Sequence, residues 1–189
     1  MSRRSLTTDA VVDAAARLAD AEGLDQVTLA RLAAELKIRP SSLFTHIKGL
    51  ADLRRQLQLR GLREMAALAA RAAVGRAGAD AIMATAIALR QFAHEHPGLY
   101  AASLPATPAQ DPELNTVAEQ FVGAFFDTMR QYGFEGEEAV HAVRGLFSTI
   151  HGFIMLERAL TFGMPIDTGE SFRWLMRHYI ASLNADAAS

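Results

Sequence analysis

Apolar residues recur along this chain with the period of an α-helix almost from end to end. Behind Thr7, which can cap a helix, Val11, Val12, Ala15, Leu18 and Ala19 share one face, and the pattern stops at Gly23. A second, short helix begins at Thr28 and turns Leu29, Leu32, Ala33 and Leu36 inward, followed by a turn at Lys37-Ile38-Arg39. Pro40 stands where the first residue of a third helix belongs, a position whose N–H needs no partner. That helix is predicted over Pro40 to Ile47, with Leu43 and Ile47 inward. Lys48 and Gly49 break it, and a long helix follows over about 50–74. Further helices are predicted near 80–95, from Pro112 behind an Asp111 cap, over about 137–160, and from the capping-box pattern Asp167-Thr168-Gly169-Glu170. Four of the six prolines, Pro97, Pro105, Pro108 and Pro112, crowd the stretch between two of these helices, which is predicted to be irregular. No run alternates with period two over more than a few residues, so the fold class is all-α.

One segment carries a functional pattern. Two helices joined by a three-residue turn at Lys37–Arg39, the second short and polar on one side, fit a helix-turn-helix over about 28–47. Leu32, Leu36, Ile38, Leu43 and Ile47 supply the apolar seam such a pair needs. Ser41, Ser42 and Thr45 offer hydroxyls to base edges, with His46 beside them as a base reader, a phosphate contact or an orienting group. Thr28, Arg31, Arg39 and Lys48 stand at helix ends, where backbone N–H groups also point at phosphate. A plain helical hairpin inside a bundle fits the local pattern too.

Charge adds to the first reading. The overall formal charge is −2, but residues 1–63 hold eleven cations against seven acids, a net of +4. The remaining residues hold eight arginines against fourteen acids, a net of −6. A basic N-terminal part on an acidic body suits a polyanion partner that meets only one end of the molecule.

The run Thr28-Leu29-Ala30-Arg31-Leu32-Ala33-Ala34-Glu35-Leu36, with Pro40-Ser41-Ser42-Leu43-Phe44-Thr45-His46-Ile47, resembles the TetR family of bacterial transcriptional regulators. His151-Gly152-Phe153, Leu156-Glu157 and Phe162-Gly163-Met164-Pro165-Ile166-Asp167 resemble the subfamily whose ligand domain bears a Trp-His-Gly signature, with Ile150 in place of the Trp. The resemblance implies a DNA-binding domain over 1–60 and a helical ligand-binding and dimerisation domain over 61–189. It further implies a homodimer on a roughly palindromic double-stranded operator, usually a repressor released by a small apolar effector. Contacts to DNA are then expected from Thr28, Arg31, Lys37, Arg39, Pro40, Ser41, Ser42, Phe44, Thr45, His46 and Lys48. Arg3 and Arg4 are either a minor-groove arm or a solvated tail.

The chain departs from the family pattern at several of these places. Lys37 replaces the turn glycine, at a cost of about 1 kcal/mol if the left-handed geometry is kept, which its ammonium offsets by reaching a phosphate. Phe44 replaces a tyrosine whose hydroxyl meets phosphate, Leu50 replaces a lysine, and Ala30 stands where some relatives carry a base-reading arginine.

In the body, Gly145, Gly152 and Ala159 recur every seven residues as a stripe that lets another backbone approach. With Phe172, Met176 and Tyr179 it would form a four-helix dimer interface, as the family implies, or serve close packing within one chain. Phe92, Tyr100, Phe121, Phe125, Phe126, Met129, Phe147, His151 and Met155 are candidates to line an apolar ligand cavity or are ordinary core.

With no cysteine, thiolate metal sites, disulfides and cysteine nucleophiles are excluded. No metal, cofactor or catalytic residue is expected. Gly169-Glu170-Ser171 lacks the second glycine of a nucleophile elbow, and His94 with His96, like His141 with His151, point apart on their helices. Uncharged runs such as 145–156 reach only 12 residues, so no membrane span is expected, nor a signal peptide, and a bacterial cytoplasmic protein is anticipated. The competing reading is a helical ligand-binding or interaction module without DNA activity.

Overall fold

The computed structural model describes residues 6–186, so Arg3 and Arg4 lie outside the described residues. Among these the chain is all-helical, with nine α-helices and one short 3-10 turn. The helices are α1 (Thr8–Glu22), α2 (Leu29–Glu35), α3 (Pro40–Leu43), α4 (Leu50–Ala73), α5 (Gly78–Glu95), α6 (Pro97–Ser103), α7 (Pro112–Gln131), α8 (Gly136–Arg158) and α9 (Thr168–Asp186). The 3-10 turn spans Leu24–Gln26.

The described residues divide into two compact units, one of residues 6–63 with 95–115, the other of residues 64–94 with 116–186. In the first unit the helix-turn-helix stands on α1. Val11, Ala15, Val27, Leu32, Leu43, Ile47, Leu53 and Leu57 are buried to within 2%. Each buried leucine or isoleucine contributes about 1.5–3 kcal/mol of burial energy. The caps form as the sequence predicts. Thr7 accepts from the Ala10 N–H at 3.1 Å, and Thr28 from the Arg31 N–H at 3.2 Å. Asp111 accepts from the Leu114 N–H at 3.1 Å.

Two predicted elements differ. The third helix closes after Leu43 instead of running to Ile47. Beyond it Phe44, Thr45 and His46 donate to carbonyls three residues back, a tighter coil than the α-helix. The cause lies in what surrounds that stretch. Thr8 on α1 donates to the His46 carbonyl at 3.3 Å, and Asp52 on α4 accepts the Lys48 N–H at 2.8 Å. The chain is thereby drawn into α4 through Gly49, whose φ is 137°.

The second difference is α6, in the stretch predicted to be irregular. Pro97 occupies its first turn, and the carboxylate of Asp20 accepts the Gly98 and Leu99 N–H groups at 2.8 and 3.2 Å, with His96 Nδ1 at 3.0 Å. Two glycines let α6 pack this closely. A Cβ at Gly98 would stand 2.5 Å from the Ala19 carbonyl oxygen, and one at Gly61 on α4 would stand 2.8 Å from the Leu99 carbonyl oxygen.

In the second unit α8 and α9 pack together, with Leu146, Ile150, Ile154, Phe172 and Met176 in the core. The α8 segment corrects the expectation that no stretch is long enough to span a bilayer: at 23 residues it is long and apolar enough by length and composition. The uncharged run underestimated it because that run stops at Arg144, the single Asp, Glu, Lys or Arg between Ala139 and Leu156. A core helix of a helical bundle passes the same measure.

Candidate nucleic-acid interface

The pair α2 and α3 presents a face built from both sides of its seam. Leu32 and Leu43 are fully buried and Ile47 nearly so, while Leu36 and Ile38 are half-buried. That anchoring turns Ser41, Ser42 and Thr45 outward, all exposed, with His46 half-buried beside them. Pro40 starts α3 without an N–H to satisfy and is itself exposed. Phe44 is 59% exposed, a large apolar group left in water next to the hydroxyls.

The turn keeps the left-handed geometry even without glycine: Lys37 has φ 55°. Its ammonium and the cationic groups of Arg39 and Lys48 are uncommitted. Lys37, Arg39 and Lys48 are exposed and make no ion pair among the described residues. Arg31 differs. It is 48% exposed and paired with Glu22 of α1, so to reach outward it must leave that carboxylate. Thr28 is exposed, but its hydroxyl oxygen is engaged as the α2 cap.

Of the other described cations in the basic N-terminal part, Arg17 and Arg54 are exposed without an ion pair, and the remaining three pair inside the chain. Arg55 is held by Asp111 and by Glu113 at 2.8 Å, Arg63 by Glu113 at 2.7 Å, and Arg60 by Asp13. Hydrogen bonds that Arg55 donates to Asp111 and then to Glu113 raise its pKa further, so it stays charged. The same pairing lowers the pKa of Asp111 and of Glu113. These salt bridges tie α4 to the start of α7, and sequence reasoning, which counted charges without pairing them, had no signal for them.

The other candidate residues fall out as follows. Phe92, Phe121, Phe125 and Met129 are buried, and Phe126, Phe147 and His151 are half-buried. The rings of Phe121 and Phe125 meet edge-on at 5.3 Å, and Phe147 stacks on His151 at 6.0 Å. Phe125 lines a void of about 20 Å³, room for a water and nothing larger. Burial lowers the His151 pKa, favouring the neutral imidazole. Tyr100 belongs to α6 in the first unit, and Met155 is 44% exposed. Of the stripe residues, Gly145 leaves room for Tyr179, whose hydroxyl donates to the Ala142 carbonyl at 2.8 Å. Phe172 and Met176 are buried within their own unit, while Gly152 faces open space and Ala159 is exposed.

A short helix with outward hydroxyls, seated on a second helix and flanked by uncommitted cations, defines a helix-turn-helix protein. Comparison with known proteins takes this further. Residues 82–179 match the tetracyclin repressor-like C-terminal domain. The chain is 36% identical to the HTH-type transcriptional regulator YobS of Bacillus subtilis, over 96% of this chain and 94% of that protein. It is 33% identical to the HTH-type transcriptional regulator Rv0681 of Mycobacterium tuberculosis, over 80% of this chain and 70% of that one. The fold is shared with the Streptomyces coelicolor TetR family protein ActR, solved in complex with (S)-DNPA. Its TM-score is 0.65 and its identity 21%, over 96% of this chain and 98% of that one. The chain belongs to the TetR family of transcriptional regulators.

Proposed function

We propose that this regulator is a homodimeric repressor, acting in the bacterial cytoplasm on a roughly two-fold symmetric DNA operator and released by a small-molecule effector. The observation that carries the DNA reading is the outward face of α3 and of the tighter coil that follows it. Ser41, Ser42 and Thr45 address base edges there, and Lys37, Arg39 and Lys48 are unpaired at its two ends. Pro40 and Phe44 supply apolar contact, Thr28, Arg31 and His46 approach phosphate, and Arg31 trades Glu22 for the DNA backbone. Hydroxyls discriminate bases less sharply than a bidentate arginine, so sequence preference is spread over several weak contacts.

Dimerisation is supported by the apolar surface that α8, α9 and their connection leave in water. Leu156, Phe162, Met164 and Trp174 are 40–73% exposed, and Gly152 opens the α8 surface beside them. Patches of this kind mark association surfaces. Effector control is supported by the shared fold with ActR, solved with a bound small molecule. Such a ligand acts through its differential affinity for the two arrangements of the dimer.

The test is a gel shift on DNA upstream of the protein's own coding sequence, at low salt and with about 200 mM added salt. A shift that weakens steeply with salt is the expected result. No shift on any fragment at low salt refutes the reading and leaves a helical binding module. Ser42→Arg with Thr45→Ala should alter site preference; an unchanged preference places the reading face elsewhere.

A further inference from the structure

We propose that a cavity in the first unit binds an amphipathic organic acid, an apolar ring or chain compound whose carboxylate sits on Arg54. The cavity has a volume of about 430 Å³, within the roughly 300–1,000 Å³ of small-molecule sites. It opens among the 3-10 turn, the first turns of α4, the end of α6 and the proline loop. Leu24, Ala51, Ala102, Pro105, Pro108 and Leu114 give it apolar walls.

The loop wall is pinned in place. Gln58 Nε2 donates to the Pro105 carbonyl at 2.7 Å, and Asn115 Nδ2 donates to the Pro108 carbonyl at 3.2 Å. Two prolines fix φ there, so little ordering remains to be done when a ligand enters.

The polar lining divides sharply. Arg55 is engaged with Asp111 and Glu113, and the Gln58 amide with the loop. Arg54 and Asp25 are left over. Both are exposed at the cavity, and neither side chain makes an ion pair or hydrogen bond among the described residues. A free guanidinium beside apolar walls matches a carboxylate attached to an apolar body, because its N–H fork pairs with two carboxylate oxygens. Asp25 accepts from a hydroxyl, amide or ring N–H on the same ligand and disfavours a second acidic group.

Leu24 and Asp25 lie directly ahead of Val27 and the Thr28 cap, so an occupant touches the chain that leads into the reading helices. Only that consequence rests on the regulator reading; the binding itself does not.

The probe is indole-3-propionate, which carries a carboxylate and a ring N–H, titrated into the full chain by calorimetry without DNA. Its neutral amide is the control. The acid should bind about tenfold more tightly than the amide. Arg54→Gln should bring the acid to the level of the amide, and Ala51→Phe, at an exposed position on the cavity wall, should abolish binding of both. Glu137→Gln, at an exposed position in the second unit, should change neither. No binding of the acid at millimolar concentration overturns the proposal. So does an acid affinity unchanged by Arg54→Gln or by Ala51→Phe. A gel shift that fails while these titrations succeed refutes the regulator reading alone.

Discussion

In the α2–α3 head, Lys37, Arg39 and Lys48 stand in water without carboxylates. In the second unit, Arg90 forms a fork with Glu157 at 2.8 and 2.5 Å, reaches Thr168 at 3.3 Å, and lies 5.5 Å above the Phe172 ring. His94 adds a contact to the same carboxylate at 2.7 Å. Both regions use ordinary cations, the first set in the turns that flank α3 and the second on α5. What separates them is the presence of a partner inside the chain. A cation whose partner is internal contributes to the fold, and its removal registers in stability. A cation without one contributes little to the fold, and its removal registers in binding.

The largest expected effect lies on the internal side. The side chain of Glu157 is 9% exposed, and breaking a buried pair by removing one member costs about 3–5 kcal/mol. Glu157→Gln keeps the shape and part of the hydrogen bonding, so denaturant unfolding should show a loss near the lower end of that range. Burial pushes the Glu157 pKa up, but hydrogen bonds from Arg90, Thr168 and His94 outweigh it and bring the value down to about 2. The unfolded chain binds this proton at a higher pH than the folded chain does. Stability from Glu157 is therefore complete above the ordinary carboxylate value and is lost as pH falls toward 2. The gap between parent and variant should close over that window. A gap independent of pH would mean that the carboxylate charge is not what the cluster holds.

Gly98→Ala comes next and probes the ground on which the head stands. Its Cβ would meet the backbone of Ala19, which has no side-chain freedom to yield. Overpacking of this kind costs about 1–3 kcal/mol. Thermal unfolding should register it, and an unaltered midpoint would show that α1 and α6 have slack.

Arg39→Gln should do the reverse. Unfolding should stay within about 0.5 kcal/mol of the parent, while the slope of log affinity against log salt falls by about one. A stability loss with no change in slope would erase the distinction between the two regions.

How much of this was legible in the sequence follows the same division. Local chemistry was readable: Thr7, Thr28 and Asp111 cap the helices they precede, and the seam of Leu32, Leu43 and Ile47 is buried as its spacing requires. The proline rule that located α3 and α7 applies equally to Pro97, yet the crowding of prolines hid α6. The decisive signal there is Asp20, whose carboxylate meets the Gly98 N–H from 78 residues away. Non-local pairing of this kind has no periodicity to read. The same holds for Arg55 with Asp111 and for the 430 Å³ cavity beside them. The outward face of α3 needed only the helical period and was legible; the cavity needed three distant segments and was not.

The last pair of substitutions isolates the comparison most cleanly, because the described residues hold the same backbone strain twice. Lys37 and Leu160 both have φ 55°, a conformation that costs a non-glycine residue about 1 kcal/mol. Leu160 is 88% exposed after α8, so its side chain has little packing to lose. Lys37→Gly and Leu160→Gly should each relieve the left-handed strain, offset in part by the greater freedom glycine gives the unfolded chain. A shift of a few tenths of a kcal/mol up to about 1 is expected in both. On DNA the two should diverge. Lys37→Gly should lower the salt slope by about one, and Leu160→Gly should leave it unchanged. If Lys37→Gly leaves DNA affinity intact, the ammonium does not reach phosphate, and the strain at the turn is retained without any gain in binding to offset it.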